Sequence, residues 1–374
     1  SIMQAARDYA IYARGYIQGR LFSLPHSPTE LYGVLVSKVT SLITLPLPLL
    51  SVLALPFFGG SGTTVNLVVF YLTWSALVAT HNPHAIESGG TLLIRLLCFL
   101  LPALSSLAID CAVPSLSKRF KAQGARQLPI HLVRNKGGLV EIAGIAVLNT
   151  LLSVLLQAAL EYATTQMLHM RSLLKVTAIA PLPWTMVKDV AKGYIVHGIL
   201  RYMIHRYVLH TVKSPLRTWH LQWQHSVRLP FSLIAAYDHP VNYLLSQWLP
   251  VFAPAYLFRY HVLTWHVLLA LTSLEELLVY SGFAVLPSSI IIPGMARRTD
   301  AHFESVRSGR IGNFGNLGVL DFVFGTACDS EVNVVDDLES ETAKHRLQDR
   351  IESAVGSALK GEPHKLSAKP KNMS

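Results

Sequence analysis

Long apolar stretches constrain this chain more than any other feature. Four fall in its first half: LITLPLPLLSVLALPFF (42–58), TVNLVVFYLTWSALVAT (64–80), TLLIRLLCFLLPALSSLAI (91–109) and LVEIAGIAVLNTLLSVLLQAAL (139–160). A membrane-crossing helix needs about 20 mostly apolar residues, and each stretch is near that length. In a bilayer the backbone must satisfy its own hydrogen bonds, so such runs fold as helices. Pro46, Pro48 and Pro56 mark the first stretch as broken or re-entrant. Arg95 interrupts the third, which is expected to tilt or to lie in the interface. A fifth apolar region covers 249–271, and a shorter sixth covers 277–292 and ends at Pro293.

Composition supports this reading. Charged residues are 14% of the chain and hydrophobic ones 51%, whereas a soluble domain carries about 25% charged residues. The net charge of +10 suits Lys/Arg-rich cytosolic loops beside anionic lipid. Nucleic acid is excluded as a partner, because the basic residues form no compact cluster with interleaved aromatics. The main basic loop, PSLSKRFKAQGARQLPIHLVRNKGG (114–138), is placed on the cytosolic side. By alternation the histidine-rich region faces the cytosol too. Cys98, Cys111 and Cys328 make neither a metal pattern nor a disulfide framework. No nucleotide-loop, nucleophile-elbow or zincin motif is present.

The expected architecture is all-α: a polytopic membrane protein with a helical, histidine-rich cytosolic cap. Four regions are expected. They are an amphipathic N-terminal segment (1–33), a transmembrane anchor (34–160), a catalytic region with late membrane helices (161–329), and a soluble helix with a basic tail (330–374).

The chemistry concentrates in the third region. DVAKGYIVHGILRYMIHRYVLHTV (189–212) reads as one helix. SPLRTWHLQWQHSV (214–227) starts another, with Ser214 as cap and Pro215 in its first turn. His205 and His210 are five apart, as are His220 and His225. On an α-helix that spacing separates two side chains by about 140°, so neither pair shares a face. A metal here would need ligands from several helices. An isolated buried histidine is ordinarily satisfied by a carbonyl or carboxylate. Two pairs together with His239 and His302, in a chain this poor in charge, point instead to a shared site. Imidazole suits iron and zinc, and a ligand imidazole needs its second nitrogen fixed by a partner. Asp238, Glu275, Glu276, Asp300 and Asp321 are the available carboxylates, and Glu276 and Tyr280 are spaced to share a helix face.

The order of these segments resembles the membrane-bound fatty acid hydroxylase and sterol desaturase superfamily over about 197–326. HRYVLH is similar to its first histidine box. HLQWQHSVRLPFSLIAAYDHP is similar to the second box with its sequel. SLEELLVYSGFAV is similar to its His-Ser-Gly segment, RRTDAHFE to its last box, and NFGNLGVLDFVFGT (313–326) to its ending. Of ten family histidine positions six are kept: His205, His210, His220, His225, His239 and His302. Gln224, Tyr280, Thr299 and Phe303 stand at the other four.

The resemblance implies an iron oxidoreductase of the endoplasmic reticulum membrane. It would use O₂ to hydroxylate or desaturate a lipid, sterol or hydrophobic metabolite, with electrons from cytochrome b5 or its reductase. The six histidines would be its ligands. Six suffice for one well-held iron, or for two sparsely ligated ones helped by carboxylates. A chain that held no metal would fit either of two alternatives. One is redox-free cyclisation or isomerisation by acid–base pairs, Asp300 with His302 or Glu276 near Tyr280, with Gln224 contacting substrate and Trp219, Trp223 and Trp265 lining the pocket. The other is a non-catalytic lipid-binding relative.

Overall fold

The computed structural model describes residues 63–133, 136–283 and 291–328. The expected N-terminal segment, the first apolar stretch and the C-terminal helix and tail lie outside the described residues. The described residues are helical, with two isolated β-bridges and no strand. Several helices begin at a proline: α2 (Pro83–Ala112), α3 (Pro114–Phe120), α5 (Pro183–Met203) and α6 (Pro215–Gln222). Proline fits there because its missing N–H falls where the helix has no acceptor for one. The other long helices are α1 (Thr63–Thr80), α4 (Gly137–Met167), α7 (Leu249–Leu257), α8 (Val262–Tyr280) and α9 (Ile291–Ser308), with short helical turns between them.

The chain forms two compact units. The smaller comprises residues up to 90 together with 176–180. In it the Trp74 indole donates to the Thr177 carbonyl at 2.9 Å and the Ser75 hydroxyl to that of Ala178 at 2.9 Å. The larger holds everything else, including the site.

By length and composition α2, α4 and α8 can cross a membrane. The apolar region expected from 249 is broken between α7 and α8, where Arg259 takes φ 47°. The expected sixth stretch is cut near its start, because α8 ends at Tyr280 and Gly282 turns with φ 69°. Lipid tails are as apolar as leucine, so apolar contact alone selects no partner for a membrane helix. Leu97 and Leu155 accordingly remain more than half exposed. The polar groups do the selecting. Arg95 lies within α2 and is turned into the protein. It is buried, paired to Glu276 of α8 at 2.8 Å, and donates to Ser273 at 2.9 Å and Tyr243 at 2.7 Å. Lys121, after α3, is buried against Asp110 of α2 at 2.6 Å and donates to the Ser281 carbonyl at 3.0 Å.

The core of the larger unit surrounds an irregular segment, residues 229–238, all buried. A buried loop needs partners for its backbone. Asn149 of α4 provides them, donating to the carbonyls of Ala236 at 2.9 Å and Asp238 at 2.8 Å. Phe99, Phe231, Ile234, Tyr280 and Phe303 pack in this core, and the site lies along it.

Candidate metal centre

α5 continues into a π-helical stretch, Ile204–Thr211. A π-helix bonds i to i+5, and the Val212 N–H donates to the Tyr207 carbonyl at 2.9 Å in that pattern. His210 therefore stands one turn above His205, and their Nε2 atoms are 3.2 Å apart. The α-helical expectation of divergent faces fails here, and its failure makes the site.

The second pair is assembled differently. The Ser214 hydroxyl caps α6 by accepting from the Arg217 N–H at 3.3 Å, and the Arg217 side chain donates to the His210 carbonyl at 2.9 Å. His220 is in the last turn of α6. The helix stops at Trp223, and a 3-10 turn, Gln224–Ser226, carries His225 back toward His220, ring centroids 4.8 Å apart. α9 contributes His302, whose ring centroid is 4.6 Å from that of His205.

His205, His210, His225 and His302 are all buried, and each presents a ligand atom within 4.8 Å of the others'. Among the described residues they are the group of His, Cys, Asp or Glu donors close enough to share an ion. His220 abuts them, with ring centroids 4.8–5.4 Å from three of the four.

Second partners set the tautomers. Nδ1 of His205 donates to the Phe314 carbonyl at 3.0 Å and Nδ1 of His302 to the Gly312 carbonyl at 2.7 Å. Nδ1 of His220 bonds Asp238 at 2.6 Å. Nε2 of each of these three thus carries a lone pair toward the centre. Nε2 of His220 and His302, Nδ1 of His210 and both ring nitrogens of His225 are buried without a hydrogen-bond partner. Burying such atoms unpaired costs about 1–3 kcal/mol each, a cost that a cation among them would remove. Burial, and then the neighbouring histidines, hold His205, His210 and His225 well below the usual imidazole range. His302 is held down to about 4, chiefly by burial. Neutral imidazoles are the form that binds a metal.

Asp321 orders the loop that supplies both carbonyls. Fully buried, it accepts from the N–H groups of Phe314 and Gly315, each at 2.9 Å, and from Thr326 at 2.8 Å, and it pairs with Arg298 at 3.0 Å. Gly318 in this loop has φ 76°, and a Cβ there would meet Arg298 Cζ at 2.4 Å. The sequence lists Asp321 only as one available carboxylate, yet it positions ligands without being one of the cluster.

Residues 190–326 match the family model described as Fatty acid hydroxylase. Over these residues, a little over a third of its length, the chain is similar to that family. No solved structure matches it.

The divergent family positions are engaged elsewhere. Gln224 donates to the Ile234 carbonyl at 3.1 Å, and Thr299 to the Met295 carbonyl of its own helix at 3.1 Å. Phe303 packs its ring 4.6 Å from that of His225 and 6.2 Å from that of Tyr280. The Tyr280 hydroxyl accepts from Arg201 at 3.2 Å, and Arg201 also donates to Gln247. Arg201, which motif reading passes over, is buried one turn before His205. His239 lies apart from the four. Its ring stacks on Trp219 at 4.0 Å, and its Nδ1 accepts from the Val241 N–H at 3.3 Å.

The members of the expected acid–base pairs hydrogen-bond other partners. Asp300 accepts from Gln127 at 2.8 Å while His302 bonds Gly312. Burial pushes the Asp300 carboxyl up to about 8. Glu276 is bound by Arg95. Nor do the three tryptophans line one pocket. Trp219 stacks on His239, Trp223 packs against Tyr237, and Trp265 donates to Thr91 at 3.0 Å in a separate core cluster.

Proposed function

We propose that this chain is a membrane-embedded oxidoreductase that hydroxylates or desaturates an apolar substrate, a lipid, sterol or hydrophobic metabolite, at a single iron ion. The observation that carries this reading is the cluster of four buried histidines, each with a ligand atom within 4.8 Å of the others'. His205, His210, His225 and His302 would hold the ion, with His220 as a fifth donor oriented by Asp238. Iron, when bound, supplies the O₂ chemistry that side chains lack. The protein's own residues bury the centre, fix which nitrogen of each imidazole faces it, and exclude water. Gln224, Tyr280, Thr299 and Phe303 occupy the family's other positions with hydrogen bonds and packing, which favours one ion over two. The family match favours a lipid-type substrate, electrons from cytochrome b5 or its reductase, and a place in the endoplasmic reticulum membrane with the site toward the cytosol. The acid–base alternative loses support because both of its pairs are engaged elsewhere.

Metal analysis of the full chain in detergent tests the reading. About one iron per chain is expected, falling at least tenfold in His210→Ala. Two irons per chain, or none after reconstitution with ferrous iron under argon, would sink it.

A further inference from the structure

A pocket of about 280 Å³ lies between α5 and the loop that follows Phe314. The proposed metal reading does not use it. Its walls are apolar, with Ile199, Leu317 and Leu320 prominent. Its polar end includes His197, Arg201 and Glu275, with Tyr194 and Asn316 also in the lining. Leu317 and Val319 at its rim are 51% and 63% exposed, as is Ile195 at 63%, so the mouth is bordered by uncovered apolar surface. An apolar molecule can enter from the lipid phase without crossing a polar barrier.

The polar end specifies what enters. His197 is 3% exposed. One ring nitrogen bonds the Pro250 carbonyl, and burial with the nearby Arg201 cation holds the ring down to about 3, so it is neutral. The other nitrogen, Nδ1, therefore carries a lone pair, and it has no partner. Glu275 accepts from Asn316 at 2.5 Å through Oε1 and is also hydrogen-bonded by Tyr194. The open position, Nδ1 of His197, is an acceptor. Both terminal nitrogens of Arg201 already donate, to Gln247 and to Tyr280. A carboxylate head would meet the Glu275 carboxyl group, and an ammonium would meet the Arg201 cation. A neutral group with one O–H fits.

We propose that this pocket binds an apolar alcohol from the membrane, its hydroxyl donating to Nδ1 of His197 and its chain running along α5 toward the exposed rim. Arg201 lines the pocket and lies one helical turn before His205, so the bound molecule would rest beside the metal centre. The binding itself does not depend on a metal.

Gly198 gives a clean handle. A Cβ added there meets nothing within 4 Å. Its place in the interior of α5 makes a larger residue favourable for the helix. Gly198→Leu should fill the pocket without harming the fold.

The experiment uses the full chain in lipid nanodiscs and 1-decanol carrying a terminal diazirine. After illumination, label is expected on peptides spanning 194–201 or 315–320. Unlabelled 1-decanol should compete ~10-fold better than decyl methyl ether or decanoic acid, the selectivity of one buried hydrogen bond. Gly198→Leu should abolish that labelling. His197→Phe should keep the labelling and lose the preference for alcohol over ether. Equal competition by the ether, label confined to other peptides, or undiminished labelling of Gly198→Leu would each overturn the proposal. Metal content measured on the same samples separates the two readings. Metal-free protein that still prefers the alcohol leaves this pocket standing and removes the metal, and iron-loaded protein without the preference does the reverse.

Discussion

Asp238 shows how one side chain decides the chemistry of another. Its Oδ2 takes the proton-bearing Nδ1 of His220, leaving Nε2 as a lone pair facing the other histidines. In Asp238→Asn the shape is kept, but the amide nitrogen can face His220 and demand an acceptor. The proton then moves to Nε2, and the fifth donor is lost. Metal affinity should fall about 10–100-fold, measured by competition with a chromogenic chelator. An unchanged affinity would mean His220 is no ligand. The sequence supplied both residues but not their pairing, since eighteen positions separate them and five carboxylates were candidates. Phe303 and Gln224 were legible as departures from the family pattern. Where their side chains went instead, against His225 and onto the Ile234 carbonyl, depended on packing.

The π-helical stretch is the decisive element. The helix over 189–212 is readable from its sequence, and so is the cap at Ser214. The change of pitch at Ile204 is not, because no local propensity distinguishes five residues per hydrogen-bonded turn from four. That change is stabilised from outside the helix, by the Arg217 side chain on the His210 carbonyl and by the Phe314 carbonyl on His205. It follows that α-helical spacing is wrong for this site. In the double variant Leu209→His/His210→Leu the pair becomes i,i+4. On an α-helix this would improve the pairing. In the π-helix it should turn one imidazole out of the cluster and cut metal retention at least tenfold, with helical circular dichroism unchanged. Retention at the wild-type level would show that the stretch relaxes to α.

Across the whole molecule, buried charges take over a task that apolar burial cannot perform in lipid. The Arg95–Glu276 pair joins α2 to α8, two helices long and apolar enough to cross a membrane. Removing one partner leaves the other charge uncompensated, at a cost of about 3–5 kcal/mol, whereas replacing both is far milder. Arg95→Leu should therefore destabilise the protein by about that amount. Arg95→Leu/Glu276→Leu should recover most of it, as read by unfolding in mixed micelles of graded denaturing strength. Additive losses in the double variant would show that the two charges are solvated independently.

The sequence by itself determined that the described chain is helical and membrane-bound, because hydropathy and backbone satisfaction in lipid are local properties. It also determined the identity of the histidines and the four positions where the family's pattern is broken. Only the tertiary structure decided that His205 and His210 converge while His239 stands apart, that Glu276 belongs to Arg95, and that an apolar pocket ends on the bare nitrogen of His197. Each of these rests on contacts between residues distant in the chain. Such contacts are chosen by competition among many buried polar groups for few partners, and that competition is settled only when the helices are packed together.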